Sequence, residues 1–286
     1  MDDQRPDIAQ RVTPLVRRVL APNPSAFTFM GTQTYIVGQA DVAIIDPGPA
    51  DAVHIDGILA ATSGERITAI ICTHTHRDHS PAAAPLKSAT GAQIIGCAPL
   101  SIDDNGPRAD AAFDTTYAPD HVMSDGEQLT GPGWTLEAVA TPGHTSNHIC
   151  YHLVEENALF TGDHVMGWST TVVSPPDGDM ADYMHSLDKL MARTDAVYYP
   201  AHGEPVTNPQ QFVRGLAGHR KQRELQILRM LETGEGVITE MVPKMYAGID
   251  ERLYGAAGRS VLAHLIDLRN RGRVNVGSND RWAVCV

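Results

Sequence analysis

Apolar residues recur along this chain in two alternating rhythms, and the alternation predicts a layered α/β fold. Residues 27–46, FTFMGTQTYIVGQADVAIID, cluster apolar and β-branched side chains about a Gly-containing turn and predict two strands. PGPA ends the second, and 51–62 reads as a helix with Val53, Ile58 and Leu59 on one side. ITAIICT (67–73) is an unbroken apolar run, the pattern of a strand covered on both faces. A short helix over 81–89 and a strand over 93–98 complete a β-β-α-β-α-β order. The polar, Pro- and Asp-rich segment 101–120 predicts a loop. Strand-like runs return at EQLT, WTLEAVAT, HICYHLV and ALFTGD, separated by turn residues. An amphipathic helix over 181–193 groups Tyr183, Leu187, Leu190 and Met191, and AVYYPAHG (196–203) is a further strand running into a loop.

After residue 205 the character changes. One long helix is predicted over 208–233 and shorter ones over 237–246 and 257–271, with RWAVCV closing a small hairpin. Three helices and a terminal hairpin make a winged-helix pattern. Charge divides at the same place. Residues 1–204 hold 10 Lys+Arg against 26 Asp+Glu, and 205–286 hold 12 against 8, within a net charge of −12. We therefore divide the chain into 1–205 and 206–286. An acidic body argues against duplex DNA as a partner.

A hydrophobic content of 42% over 286 residues supports a sizeable core. No apolar run approaches the eighteen residues of a membrane span. MDDQRPDIAQ lacks the basic and apolar regions of a secretory leader, so cytoplasmic residence is expected. Cys72, Cys97, Cys150 and Cys285 form no CxxC pair and are expected as buried thiols in strands.

The chemistry concentrates where ITAIICT ends. HTHRDH places His74, His76, Asp78 and His79 within six positions, at a strand-to-loop junction where α/β folds gather ligands. Imidazole and carboxylate are the donors preferred by zinc and similar divalent ions. The spacing is too tight for one helical site and suits two partial sets. Three further donors follow strands in the same manner: His144 in TPGHTSNH, Asp163 in FTGDH and His202 in YPAHG. Taken singly, His202 reads as a hydrogen-bonded loop histidine and Asp163 as a turn former. Together they assign His74, His76 and His144 to one ion and Asp78, His79 and His202 to a second, with Asp163 and a water or hydroxide bridging them. Asp78, His144 and Asp163 are the catalytic candidates among these ligands.

THTHRDH, TPGHTSNH, TGD and PAHG, preceded by GTQTYIVG and IIDPG, resemble the metallo-β-lactamase superfamily, and with the tail the chain looks most like its lactamase-beta-2-like branch. Glyoxalase II is a relative of the catalytic part. The resemblance implies an α/β fold, an αββα sandwich with a C-terminal winged-helix domain, two zinc ions held by the ligands above, and a tail that walls one side of the substrate cleft. Its members include acyl or thioester hydrolases and single-strand-preferring endoribonucleases. Gln33 stands where relatives carry a cleft-lining asparagine, Thr75 where an aromatic is common, and Pro81 where a glycine is usual. His76 stands where flavodiiron relatives carry glutamate, which favours zinc over iron or manganese. No cysteine lies near residue 163, which argues against antibiotic hydrolysis.

The expected function is metal-assisted hydrolysis, a bridging hydroxide attacking an ester or thioester carbon or a single-stranded RNA phosphodiester. The expected partners are a small acyl substrate or single-stranded RNA, with no duplex DNA and no membrane; a homodimer is compatible with either. Gln33, His148 and Tyr199 are candidate substrate contacts, though His148 equally suits orienting a ligand or packing in its strand, and Tyr199 suits the core. His164 suits the cleft or exposure, and 167–179 suits a cleft edge. Arg269, Arg271 and Arg273 suit a helix C-terminus better than a phosphate patch. The competing reading is a winged-helix nucleic-acid-binding protein with a structural metal site; a slight positive charge on the tail and seven open-site ligands weigh against it.

Overall fold

The computed structural model describes residues 8–100, 113–234, 236–277 and 280–285. Its first sheet runs in chain order through β1 (Gln10–Arg11), β2 (Val16–Leu20), β3 (Gln33–Gln39), β4 (Asp41–Ile45), β5 (Arg66–Cys72), β6 (Gln93–Gly96) and β7 (His121–Val122). Pairing is antiparallel from β1 to β4 and parallel from β4 to β7. The parallel turnover needs crossover connections, which α1 (Ala52–Ala61) and α2 (Ala83–Thr90) supply. β5 lies inside this parallel half, which is why its sequence is mostly apolar after Arg66.

A second sheet has the order β12-β11-β10-β9-β8, formed by β8 (Gln128–Gly131), β9 (Trp134–Ala140), β10 (Ile149–Leu153), β11 (Ala158–Gly162) and β12 (Val197–Pro200). Ile36, Ile44, Ile70 and Ile71 of the first sheet share one buried core with Leu136, Tyr151 and Phe160 of the second. The far face of the second sheet, through Val139, Cys150, Leu159 and Tyr198, packs on α3 (Met180–Met191) and α4 (Pro209–Glu232). Helices thus cover both outer faces of a two-sheet sandwich. α4 continues past that core. Its Ile227, Leu228 and Leu231 enter a third cluster with α5 (Ile238–Met245), α6 (Tyr254–Asn270) and the hairpin of β13 (Val274–Val276) and β14 (Trp282–Val284). The winged-helix pattern is present at the C-terminus.

Several expectations need correction. Val53 is exposed; α1 buries His54, Gly57 and Ile58 instead, after Asp51 caps the helix by accepting from His54 N–H. Cys285 is exposed beyond β14, whereas Cys72, Cys97 and Cys150 are buried. β1 and β2 carry no clear strand signal in the sequence, because Pro14 and the paired Arg17 and Arg18 interrupt their pattern. Of the predicted loop 101–120, residues 101–112 lie outside the described residues. Arg271, just past α6, pairs with Glu224 and Asp267, so the basic cluster is partly neutralised within the tail. No helix among the described residues is long and apolar enough to cross a membrane.

Candidate metal centre

Every ligand candidate sits just beyond a strand, at one edge of the sandwich. His74, His76, Asp78 and His79 follow β5, His144 follows β9, Asp163 follows β11 and His202 follows β12. Rigid strands hold the bases of these loops, which lets polar side chains converge without collapse. Two groups form, each with its donor atoms within 4.8 Å of one another: His74, His76, His144 and Asp163, and Asp78, His79, Asp163 and His202. Asp163 belongs to both. Its Oδ2 lies 3.7 Å from His144 Nε2, and its Oδ1 lies 3.2 Å from His202 Nε2 and 3.5 Å from His79 Nε2.

The outer hydrogen bonds fix which nitrogen each ring presents. His144 Nδ1–H donates to the Val172 carbonyl at 2.7 Å, so its Nε2 lone pair faces the centre. His202 Nδ1–H donates to Gly31 O at 3.1 Å with the same result. His79 Nδ1–H donates to Asp46 at 3.0 Å. The Thr73 hydroxyl donates to Asp46 at 2.8 Å and therefore accepts from His74 Nδ1–H at 3.0 Å. His76 alone turns Nδ1 inward, 2.9 Å from His74 Nε2 and 3.1 Å from His144 Nε2. Three lone-pair nitrogens brought this close suit one shared cation.

The donor set fits two divalent ions. His79 Nε2, His202 Nε2 and Asp163 Oδ1 are buried and make no hydrogen bond among the described residues, an arrangement costly unless a further group binds there. The two groups differ electrostatically. Burial, with His79, His76 and His144 nearby, holds His74 well below the usual imidazole range, and burial beside His144 takes His76 to about 3. In the second group burial works the same way but is overcome: the carboxylates of Asp163 and Asp78 raise His202 to about 10, and Asp78, Asp163 and Asp46 raise His79. Burial thus decides the direction at His74 and His76, and the neighbouring carboxylates decide it at His79 and His202.

Other candidates lie elsewhere. Tyr199 packs against Tyr35 and Phe160 in the core between the sheets, so its place is not the cleft. His148 is buried; its Nδ1–H donates to Thr141 and its Nε2 accepts from Asp163 N–H at 3.2 Å, so it supports the backbone of Asp163. Gln33 is also buried, donating to Gly203 O and accepting from Arg18, which ties down the loop that carries His202. His164 is buried behind the centre against Tyr183. Gly162 precedes Asp163 because a Cβ there would lie 2.6 Å from Thr73 Oγ1 and 2.7 Å from His148 Nε2. The cleft over the centre is lined by Phe27, Met166 and Val172 together with His76, Asp78, His144 and Asp163. Sequence reasoning missed Asp46, which holds Thr73 and His79; its position at a strand end in IIDPG was the available signal.

Residues 27–202 match the Metallo-beta-lactamase superfamily profile and residues 238–282 match the Beta-lactamase associated winged helix domain. The chain is 32% identical over 300 aligned positions to "Lactamase-like protein adaB" of Aspergillus niger, covering 97% of this chain and 88% of that protein. It is 35% identical over 227 positions to "Atrochrysone carboxyl ACP thioesterase" of Aspergillus fumigatus, covering 77% of this chain and 66% of that one. Among solved structures, a beta-lactamase domain protein from Burkholderia ambifaria superposes with a TM-score of 0.83 at 20% identity, covering 99% of this chain and 96% of that chain.

Proposed function

This chain belongs to the metallo-beta-lactamase superfamily of hydrolases, and from that premise we propose that it is a two-zinc hydrolase of esters or thioesters bearing an apolar acyl group. The observation that carries the reading is Asp163, which turns one carboxylate oxygen toward each ligand group. His74, His76 and His144 would hold one ion and Asp78, His79 and His202 the other. Bound there, the pair would supply a nucleophile from water near neutral pH and polarise the substrate oxygen.

The remaining work falls to the chain. Asp46, Gly31 O and Val172 O hold the imidazole tautomers, so no ring must turn when substrate arrives. Phe27, Met166 and Val172 give the cleft an apolar wall that would face the acyl part of a substrate. Phe29 and Trp168, partly exposed and stacked at 5.0 Å, extend an apolar surface nearby. The named thioesterase relative supports the acyl reading, and the net charge of −12 weighs against a polyanionic substrate.

The test is a panel of S-lactoylglutathione, acyl thioesters of graded chain length and labelled single-stranded RNA, run beside metal analysis. Thioester hydrolysis is expected, lost with chelator and in Asp78→Ala. Turnover of RNA without thioester would overturn the substrate class. Activity insensitive to chelator would overturn the metal chemistry.

A further inference from the structure

Arg220 lies on α4, between the two stretches that match known domains. It is 3% exposed and forms no ion pair with a carboxylate among the described residues. A buried guanidinium without a counter-ion is costly, and an apolar side chain of similar length would be cheaper to bury. Its histidine neighbours His164 and His264 are also buried and supply no negative charge. What the guanidinium does is specific. It donates to the Thr171 carbonyl and lies over the Tyr183 ring, 5.1 Å from its centre.

Thr171 then leads directly to the metal centre. Its hydroxyl meets Asp163 O at 2.7 Å and His164 O at 3.0 Å. Tyr183 donates to the same His164 carbonyl at 3.2 Å. The next residue, Val172, offers the carbonyl that accepts from His144 Nδ1–H. One cation from α4 therefore anchors the short backbone segment that seats Asp163 and orients His144.

We propose that Arg220 is a positioning residue through which α4 sets the tautomer of His144 and the seat of Asp163, by way of residues 171–172. The proposal rests on the metal-centre reading for its consequence, but its geometry stands in the metal-free protein. It is tested in the full chain with Arg220→Met, Arg220→Lys and Thr171→Val. Imidazole nitrogen spectra of metal-free protein should show His144 held as the Nδ1–H tautomer in the wild type and exchanging between tautomers in Arg220→Met and Thr171→Val. Competition with a chromophoric chelator should show one of the two zinc ions bound about 10–100-fold more weakly in those variants. Arg220→Lys, which keeps a donor, should recover part of the loss, and melting temperatures should stay near that of the wild type. Wild-type tautomer and wild-type zinc affinity in both Arg220→Met and Thr171→Val would overturn the proposal. If Arg220→Met does not fold, Thr171→Val decides alone. A wild type that binds no zinc would refute the proposed hydrolase, and the tautomer spectra would still decide the role of Arg220.

Discussion

The two ligand groups share Asp163 and sit side by side, yet they are anchored to different parts of the molecule. The imidazole group leans on the loop that follows β11, through Val172 O, and beyond it on α4. The carboxylate-containing group leans on the turn before β3, through Gly31 O, and on Gln33 holding the loop of His202. Asp46 supports both, reaching His79 directly and His74 through Thr73. The difference teaches that two neighbouring donor groups can be tuned partly apart, because His144 and His202 are fixed by separate backbone segments outside while Asp46 ties the two groups together.

Substitutions can break that comparison in order of reach. Asp163→Ala removes the one side chain common to both groups among the described residues; it should abolish measurable thioester hydrolysis and lower zinc content below two per chain by elemental analysis. Asp46→Ala acts on both groups from outside, and zinc affinity at each should fall roughly 10–100-fold in chelator competition. Gly31→Ala should act on the carboxylate-containing group alone. At φ +136° its new Cβ would lie 2.1 Å from Ala21 O, so the Gly31 carbonyl must leave His202, with stability falling by about 1–3 kcal/mol in denaturant titration. Tyr199→Phe should do least: its ring stays in the core, so kcat/KM should be unchanged and stability should shift by less than about 0.5 kcal/mol. A large activity loss in that variant would return Tyr199 to the substrate.

The candidate ligands were legible because each follows a strand and four of them are packed into HTHRDH. What lay beyond reach depended on tertiary neighbours. Asp46 reads as an ordinary strand end; its partners Thr73 and His79 come from another strand and its loop. Arg220 has no local signal, since its target is a backbone carbonyl 49 residues away. Tyr198 and Tyr199 show a further limit. Adjacent strand residues point to opposite faces, and here both faces are buried, Tyr198 against α3 and α4 and Tyr199 between the sheets. Alternation can sort a covered face from an open one, but not one covered face from another. The fold class was readable for the opposite reason: β5 advertises its burial in its own composition.

The double membership of α4 has a mechanical consequence. Val213, Leu216 and Ala217 sit in the core beneath the second sheet, while Ile227, Leu228 and Leu231 sit in the tail's own core. A rod whose ends are embedded in separate bodies makes them share their fate. Calorimetry should record one cooperative melting event for the intact chain, and a fragment ending near residue 205 should be a poorly behaved polypeptide with a bare greasy flank.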